Sequence, residues 1–237
     1  MNVALRVSLT SNEPLAKAPV VVFTYRKKDF LKEIFDLIIR YAPPKLYIVH
    51  NCASSSDEFE KVNSVRQAVK NFSFPFEVEH IFHETHLHVK DVFPNSLNKI
   101  FDKEERLIVL EDDTIPSMSF FSFCNAMLEK YKDDSQIGCI NGCNLDSAVI
   151  QNAYFFSGLC VPFWGWATWK NSWKLYKEGA TYWESNQDEI LNAIEVDKPF
   201  FANSFSNFKR LLHTWDIPWN LSLMANGKRC VIPGVNL

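Results

Sequence analysis

The stretch Leu107-Ile108-Val109-Leu110-Glu111-Asp112-Asp113 decides the fold. Four consecutive apolar residues suit a strand buried on both faces, as in a parallel sheet covered by helices. Three carboxylates at the end of such a strand repel one another unless something offsets their charge. In open α/β sheets ligands bind at the carboxyl ends of the strands. Clustered oxygen donors suit hard divalent cations such as Mg²⁺ or Mn²⁺, usually shared with substrate phosphates. The bland reading of the triplet is an acidic turn capping the next helix, with Asp113 or Thr114 as N-cap.

Upstream, Val20-Val21-Val22-Phe23-Thr24 is a β-branched run that ends in the polar Tyr25-Arg26-Lys27-Lys28. Phe30, Ile34, Leu37, Ile38 and Tyr41 predict one face of a helix from Asp29, closed by Pro43-Pro44. Leu46-Tyr47-Ile48-Val49 reads as a strand ended by His50-Asn51. A helix follows from the serines before Asp57 to about Asn71, and Phe76 to Ile81 alternates as a third strand. Helices are expected over Val89–Phe101 and Phe120–Tyr131, and a strand over Ile137–Ile140. Strands alternating with helices at this spacing give an α/β architecture with a mostly parallel sheet. Beyond Asn144 the pattern is irregular and aromatic, with helices expected near 170–177, 186–195 and 199–213. Residues 1–17 read as a tail or edge element, and 18–237 as a single domain.

Composition narrows the chemistry. The chain has only 7 glycines, the first at Gly138, so no Walker A loop or G-x-G-x-x-G turn exists in the N-terminal half. A nucleotide bound there must be held without a glycine cradle. With 25 basic and 28 acidic residues the net charge is −3, which offers no electrostatic footprint for nucleic acid. The 6 cysteines form no C-x-x-C pair and no apolar leader precedes them, so they read as reduced thiols of a cytoplasmic protein. No stretch approaches a membrane span; peripheral membrane contact is compatible with the sequence.

Later in the chain stand Phe163-Trp164-Gly165-Trp166-Ala167-Thr168-Trp169 and Thr214-Trp215-Asp216-Ile217-Pro218-Trp219-Asn220. Taken in order with Thr24-Tyr25-Arg26, His50-Asn51 and Glu111-Asp112-Asp113, these motifs resemble GT-A glycosyltransferases. The family is that of the nucleotide-diphospho-sugar transferases of bacterial polysaccharide synthesis, and the E-D-D triplet is similar to that of N-acetylglucosaminyltransferase I. The resemblance implies a Rossmann-like GT-A fold and a hexosyl- or N-acetylhexosaminyltransferase. Such an enzyme moves sugar from a nucleotide donor, UDP-linked by preference, to a hydroxyl of a glycan, polysaccharide or lipid-linked acceptor.

Carried over by motif, Thr24, Tyr25 and Arg26 line the nucleotide pocket, Asn51 contacts the base and Glu111 approaches the ribose. Asp113 ligates Mn²⁺ or Mg²⁺, while Asp112 acts through water or the donor sugar. Lys90 lies where related enzymes place a basic residue near the nucleotide. Asp216 is the candidate general base of an inverting reaction; otherwise it is an acidic residue at a helix start beside core tryptophans. Trp164, Gly165, Trp166 and Trp215 are the expected sugar or acceptor contacts, whereas Trp169 and Trp173 are expected in the core. His83, His86 and His88, in H-x-x-H-x-H spacing, read as structural, and Lys27-Lys28 as a solvated helix start. Val231 to Leu237 reads as a strand still in progress. Similar transferases continue past that point, so a C-terminally truncated enzyme is expected. A nucleotidyltransferase acting on sugar phosphates, or a non-catalytic carbohydrate-binding domain, are the alternatives.

Overall fold

The computed structural model describes residues 5–6, 16–144, 153–158, 164–177 and 213–237, with isolated positions between 185 and 192. The expected helices near 186–195 and 199–213 lie largely outside the described residues. The strands are β1 (Leu5–Arg6), β2 (Val20–Thr24), β3 (Lys45–His50), β4 (Glu77–Phe82), β5 (Arg106–Glu111), β6 (Ile137–Asn141), β7 (Ala153–Ser157), β8 (Trp166–Trp169) and β9 (Arg229–Pro233). They form one sheet in the order β1-β7-β9-β6-β8-β5-β2-β3-β4. Neighbours β5, β2, β3 and β4 are parallel, as are β6 and β9, while β8 and β7 run against their neighbours. The sheet is therefore mostly parallel.

Alternation along the central strands divides the core in two. Val20, Val22, Ile108 and Leu110 face one side, where helices α1 (Leu31–Tyr41), α2 (Ser56–Lys70) and α4 (Met118–Lys130) pack. Val21, Phe23, Leu107 and Val109 face the other, against α3 (Val89–Phe101), α5 (Lys170–Trp173) and α6 (Asp216–Ala225). Leu107 to Leu110 are all fully buried, as a strand covered on both faces requires.

Several local expectations are corrected. Helix α1 starts at Leu31, and its buried stripe is Leu31, Ile34, Phe35, Ile38 and Tyr41. Phe30 precedes the first helical turn, falls off that stripe and stays 42% exposed. The helix ends where Ala42 takes a left-handed conformation at φ 51°, since the following prolines cannot continue it. β7 and β8 lie in the aromatic region where the sequence pattern was irregular. In β8 two tryptophans and Thr168 form an antiparallel strand between β5 and β6, which aromatic and β-branched residues favour. β9 ends at Pro233. The residues after it hydrogen-bond back onto the sheet, Gly234 N–H to Ala153 O at 2.7 Å and Leu237 N–H to Gly142 O at 3.1 Å.

The β8 insertion brings two glycines together. The Gly142 N–H donates to Gly165 O at 2.9 Å beneath the Phe120 ring. A Cβ at Gly142 would stand 2.7 Å from Phe120 and 3.0 Å from Gly165 O, too close for either to remain in place. Gly142→Ala is expected to lower stability by about 1–3 kcal/mol in urea unfolding, as overpacking does. An unchanged midpoint would show that the Phe120 contact yields freely.

Candidate active site at the carboxyl ends of β2 and β5

Strands β2 and β5 are parallel neighbours, with Phe23 opposite Glu111. Their ends therefore emerge side by side, and the loop Tyr25–Lys27 lies against Glu111, Asp112 and Asp113. The strand stops at Glu111 because the chain turns tightly there, Thr114 N–H donating to Glu111 O at 3.2 Å. Strand alternation thus fails beyond Glu111, and the three carboxylates do different things.

Asp112 is buried, and one of its oxygens accepts the backbone N–H groups of Tyr25 (2.8 Å) and Lys27 (3.3 Å). It ties the β2 loop to the β5 turn and so acts as a positioning group, beside the expected action through water or the donor sugar. Burial pushes its pKa up to about 6 against the pull of those two hydrogen bonds. Asp113 is more exposed and forms an ion pair with the Lys27 ammonium at 2.5 Å. Glu111 has a pKa raised to about 7, first by burial, then by the charges of Asp113, Asp112 and Asp216. Asp216 opens α6, which packs on the same face of the sheet as Glu111, and does not itself line the cavity described below.

A cavity of about 240 Å³ lies between these groups and the start of α3. Phe23, Val49, Leu87, Val92 and Phe93 supply apolar walls, and Tyr25, Arg26, Lys27, Asn51 and the three carboxylates supply polar ones. Most of the polar wall is already engaged. The Thr24 hydroxyl donates to Val49 O at 2.9 Å, inside the sheet. The Tyr25 hydroxyl, the Arg26 guanidinium and Ser54 all converge on Glu58, in the first turn of α2. Those contacts, the Ser54 hydroxyl first, hold the Glu58 carboxyl down at about 2. Asn51 donates to Leu87 O at 2.7 Å and accepts from Leu87 N–H at 3.1 Å, bonding to the 86–88 loop as a strand neighbour would. The amide expected on a base instead fixes the wall beside it.

Other expected residues lie elsewhere. Trp166 and Trp215 are buried, with rings stacked 5.3 Å apart, and Trp215 stacks on Phe93 at 4.3 Å. Their faces are covered by other rings, so neither presents a platform to a sugar. Trp173 joins this cluster as expected; Trp169 is half-buried, its indole N–H donating to Leu128 O at 3.1 Å. Gly165, at φ 90°, is required by its own backbone and by the Phe120 ring 3.2 Å from an added Cβ, not by approach to a ligand. Trp164 is different: it is 58% exposed and stands before β8 in a left-handed conformation at φ 57°. Lys90 is exposed on the first turn of α3 and does not line the cavity.

The residues that sequence reasoning undervalued are Lys27 and Glu58. Lys27 reads as a solvated helix start, yet it precedes the helix and pairs with Asp113. Its signal was its position, three residues past a strand adjacent to the acidic one. Glu58 stands in an S-x-x-E pattern after Ser55, an N-cap signature, but its carboxylate turns to Ser54 and the β2 loop instead. The three histidines, read as structural or surface residues, each bond within the protein: His83 to Ser96, His86 to Cys52 O beside the cavity, and His88 as the cap of α3.

Among the described residues no three His, Cys, Asp or Glu side chains converge as a ready metal cage. Asp113, half-exposed on the cavity wall, is the carboxylate that could meet a hard cation shared with phosphate oxygens. A larger cleft, about 580 Å³, lies at the opposite end of the strands, around Arg106, Ile137 and Trp169. Its cations are matched internally, Arg106 and Lys132 with Glu129, and Lys228 with Ser135 O. No helix among the described residues is long and apolar enough to cross a membrane.

No family model and no curated protein sequence matches the chain. It is similar to the solved structure of a cytidylyltransferase from Leptospira borgpetersenii serovar Hardjo-bovis, with 8% identity and a TM-score of 0.44. The match covers 82% of this chain and 94% of that one.

Raised carboxyl groups have a consequence for stability. Glu111 binds its proton more tightly folded than unfolded, so its penalty is absent at pH below about 4.5 and complete above about 7. Glu111→Gln is therefore expected to be more stable than wild type at pH 8, on the order of 2 kcal/mol. The gain should shrink towards zero as pH falls to about 4.5, read by urea unfolding at each pH. His50, buried and lowered to about 3, drives wild-type stability the other way over acid pH, which is why the comparison is made between variant and parent. A gain independent of pH would mean the carboxylate is not the source.

Proposed function

We propose that the chain transfers a sugar from a nucleoside-diphosphate donor to a hydroxyl acceptor, with a divalent cation at Asp113. The observation that carries this reading is the convergence of Glu111, Asp112 and Asp113 with the Tyr25–Lys27 loop. They meet at one strand end, around an apolar-walled cavity. In this reading the apolar wall of Phe93, Val92 and Leu87 takes the nucleoside, and Lys27 and Arg26 face the diphosphate. Asp113 would hold the cation, which would supply charge stabilisation to the leaving diphosphate. Asp216 takes the acceptor hydroxyl proton as that oxygen attacks the anomeric carbon, giving inversion. Trp164, exposed just before β8, is the aromatic face offered to a sugar ring in this reading.

Titration of UDP, GDP and CDP, each with and without Mn²⁺, tests the donor site. One nucleotide should bind, and only with the metal; Asp113→Ala should abolish that dependence. Asp216→Asn should lower turnover by about three orders of magnitude while donor affinity stays within about twofold. Equal loss of donor affinity would make Asp216 a binding residue. Trp164→Ala should weaken the acceptor and leave nucleotide binding unchanged.

Nucleotidyl transfer to a sugar phosphate is the second reading, favoured by the Lys27 ammonium beside Asp113, which suits attack at phosphorus. The products separate the two. Release of a nucleoside diphosphate supports sugar transfer, and release of pyrophosphate supports nucleotidyl transfer.

A further inference from the structure

Resting on the nucleotide-and-cation reading of this site, we propose that Lys27 is a resident counter-ion that makes cation and diphosphate bind together. Its ammonium holds the place at Asp113 until a diphosphate draws it away. Lys27 is anchored for this at both ends. Its backbone N–H donates to Asp112 at 3.3 Å, and its Nζ lies 2.5 Å from Asp113. Among the described residues no other cation forms an ion pair with Glu111, Asp112 or Asp113; the nearby Arg26 is committed to Glu58.

A divalent cation and an ammonium do not share one carboxylate oxygen comfortably, since two positive charges a few ångströms apart repel. Binding of the metal alone must therefore displace Lys27 into water and forfeit its pairing. A diphosphate changes the balance. It offers the displaced ammonium new oxygen partners on the loop side of the cavity, and the lysine stem, with its side chain 55% exposed, is free to swing. Each ligand thus removes an obstacle to the other, and the coupling is reciprocal. The bare protein is a poor metal binder by construction.

The test is Mn²⁺ affinity of the nucleotide-free protein, read from the free-ion electron paramagnetic resonance signal, for wild type, Lys27→Met, Lys27→Arg and Lys28→Met. Lys27→Met should bind Mn²⁺ about tenfold more tightly than wild type, the order expected for removing one charge beside a partly exposed site. Lys27→Arg keeps the charge and should resemble wild type. Lys28→Met changes net charge equally without touching the triplet, and should also resemble wild type. With the nucleotide identified above, the gain in Mn²⁺ affinity on adding nucleotide should be smaller in Lys27→Met than in wild type. Equal Mn²⁺ affinities for Lys27→Met and wild type overturn the counter-ion role, and so does an equal gain in Lys28→Met. Failure of wild type to bind any nucleotide with Mn²⁺ overturns the underlying reading instead.

Discussion

Everything at the active end of the molecule depends on placing negative charge where a sheet least tolerates it. β5 is covered by helices on both faces, and its first solvent contact is a run of three carboxylates. Two backbone N–H groups of the β2 loop solve part of the problem by binding Asp112, and Lys27 solves another part at Asp113. Glu111 is left with burial and like charge, which Lys27 offsets only from a distance. The geometry of the loop follows from this: Tyr25 to Lys27 are drawn over the β5 turn, and Glu58 then fixes the outer side of the same loop. The cavity is the space that these two sets of tethers leave beside α3.

The aromatic second half serves the same end from beneath. Trp166, Trp173, Trp215 and Trp219 pack as one cluster on the α3 face. That packing sets α6 against the sheet with its first residue, Asp216, towards Glu111. The tryptophans that looked like ligand contacts are the means by which a distant helix is aimed. Two indole N–H groups in the cluster, of Trp166 and Trp219, have no hydrogen-bond partner among the described residues. Such groups are costly to bury, and the depth of aromatic packing around them is what offsets the loss.

Periodic, apolar segments made the N-terminal half legible. The runs at Val20, Leu46 and Leu107 and the helix at Val89 needed only alternation and capping chemistry to be read. The strand β8 was not legible, because tryptophans in Trp166-Ala167-Thr168-Trp169 suit a strand, a core or a sugar platform equally well, and only pairing with β5 and β6 decides among them. At the site, the acidic triplet and Asp216 were visible as residue types. Their division of labour was not, since it depends on a turn at Glu111 that breaks the alternation of the strand. Asn51 is the same lesson in miniature: a side-chain amide at a strand end suits a base or a neighbouring loop, and the loop's Leu87 backbone happens to lie within reach.

β5 and β6 follow one another in the chain but are not neighbours in the sheet, because β8 lies between them. During synthesis β2, β3, β4 and β5 can pair as soon as they emerge, each joined to the next by its own helix. β6 cannot dock beside β5 without closing the slot that β8 must later fill. The sheet therefore remains in two pieces until residues 166–169 leave the ribosome, a long-range closure of the kind that slows folding. An unpaired edge of β5, apolar from Leu107 to Leu110, is exposed for that interval. Its charged end, Glu111 to Asp113, then guards the nascent edge against self-association, before it has any ligand to hold.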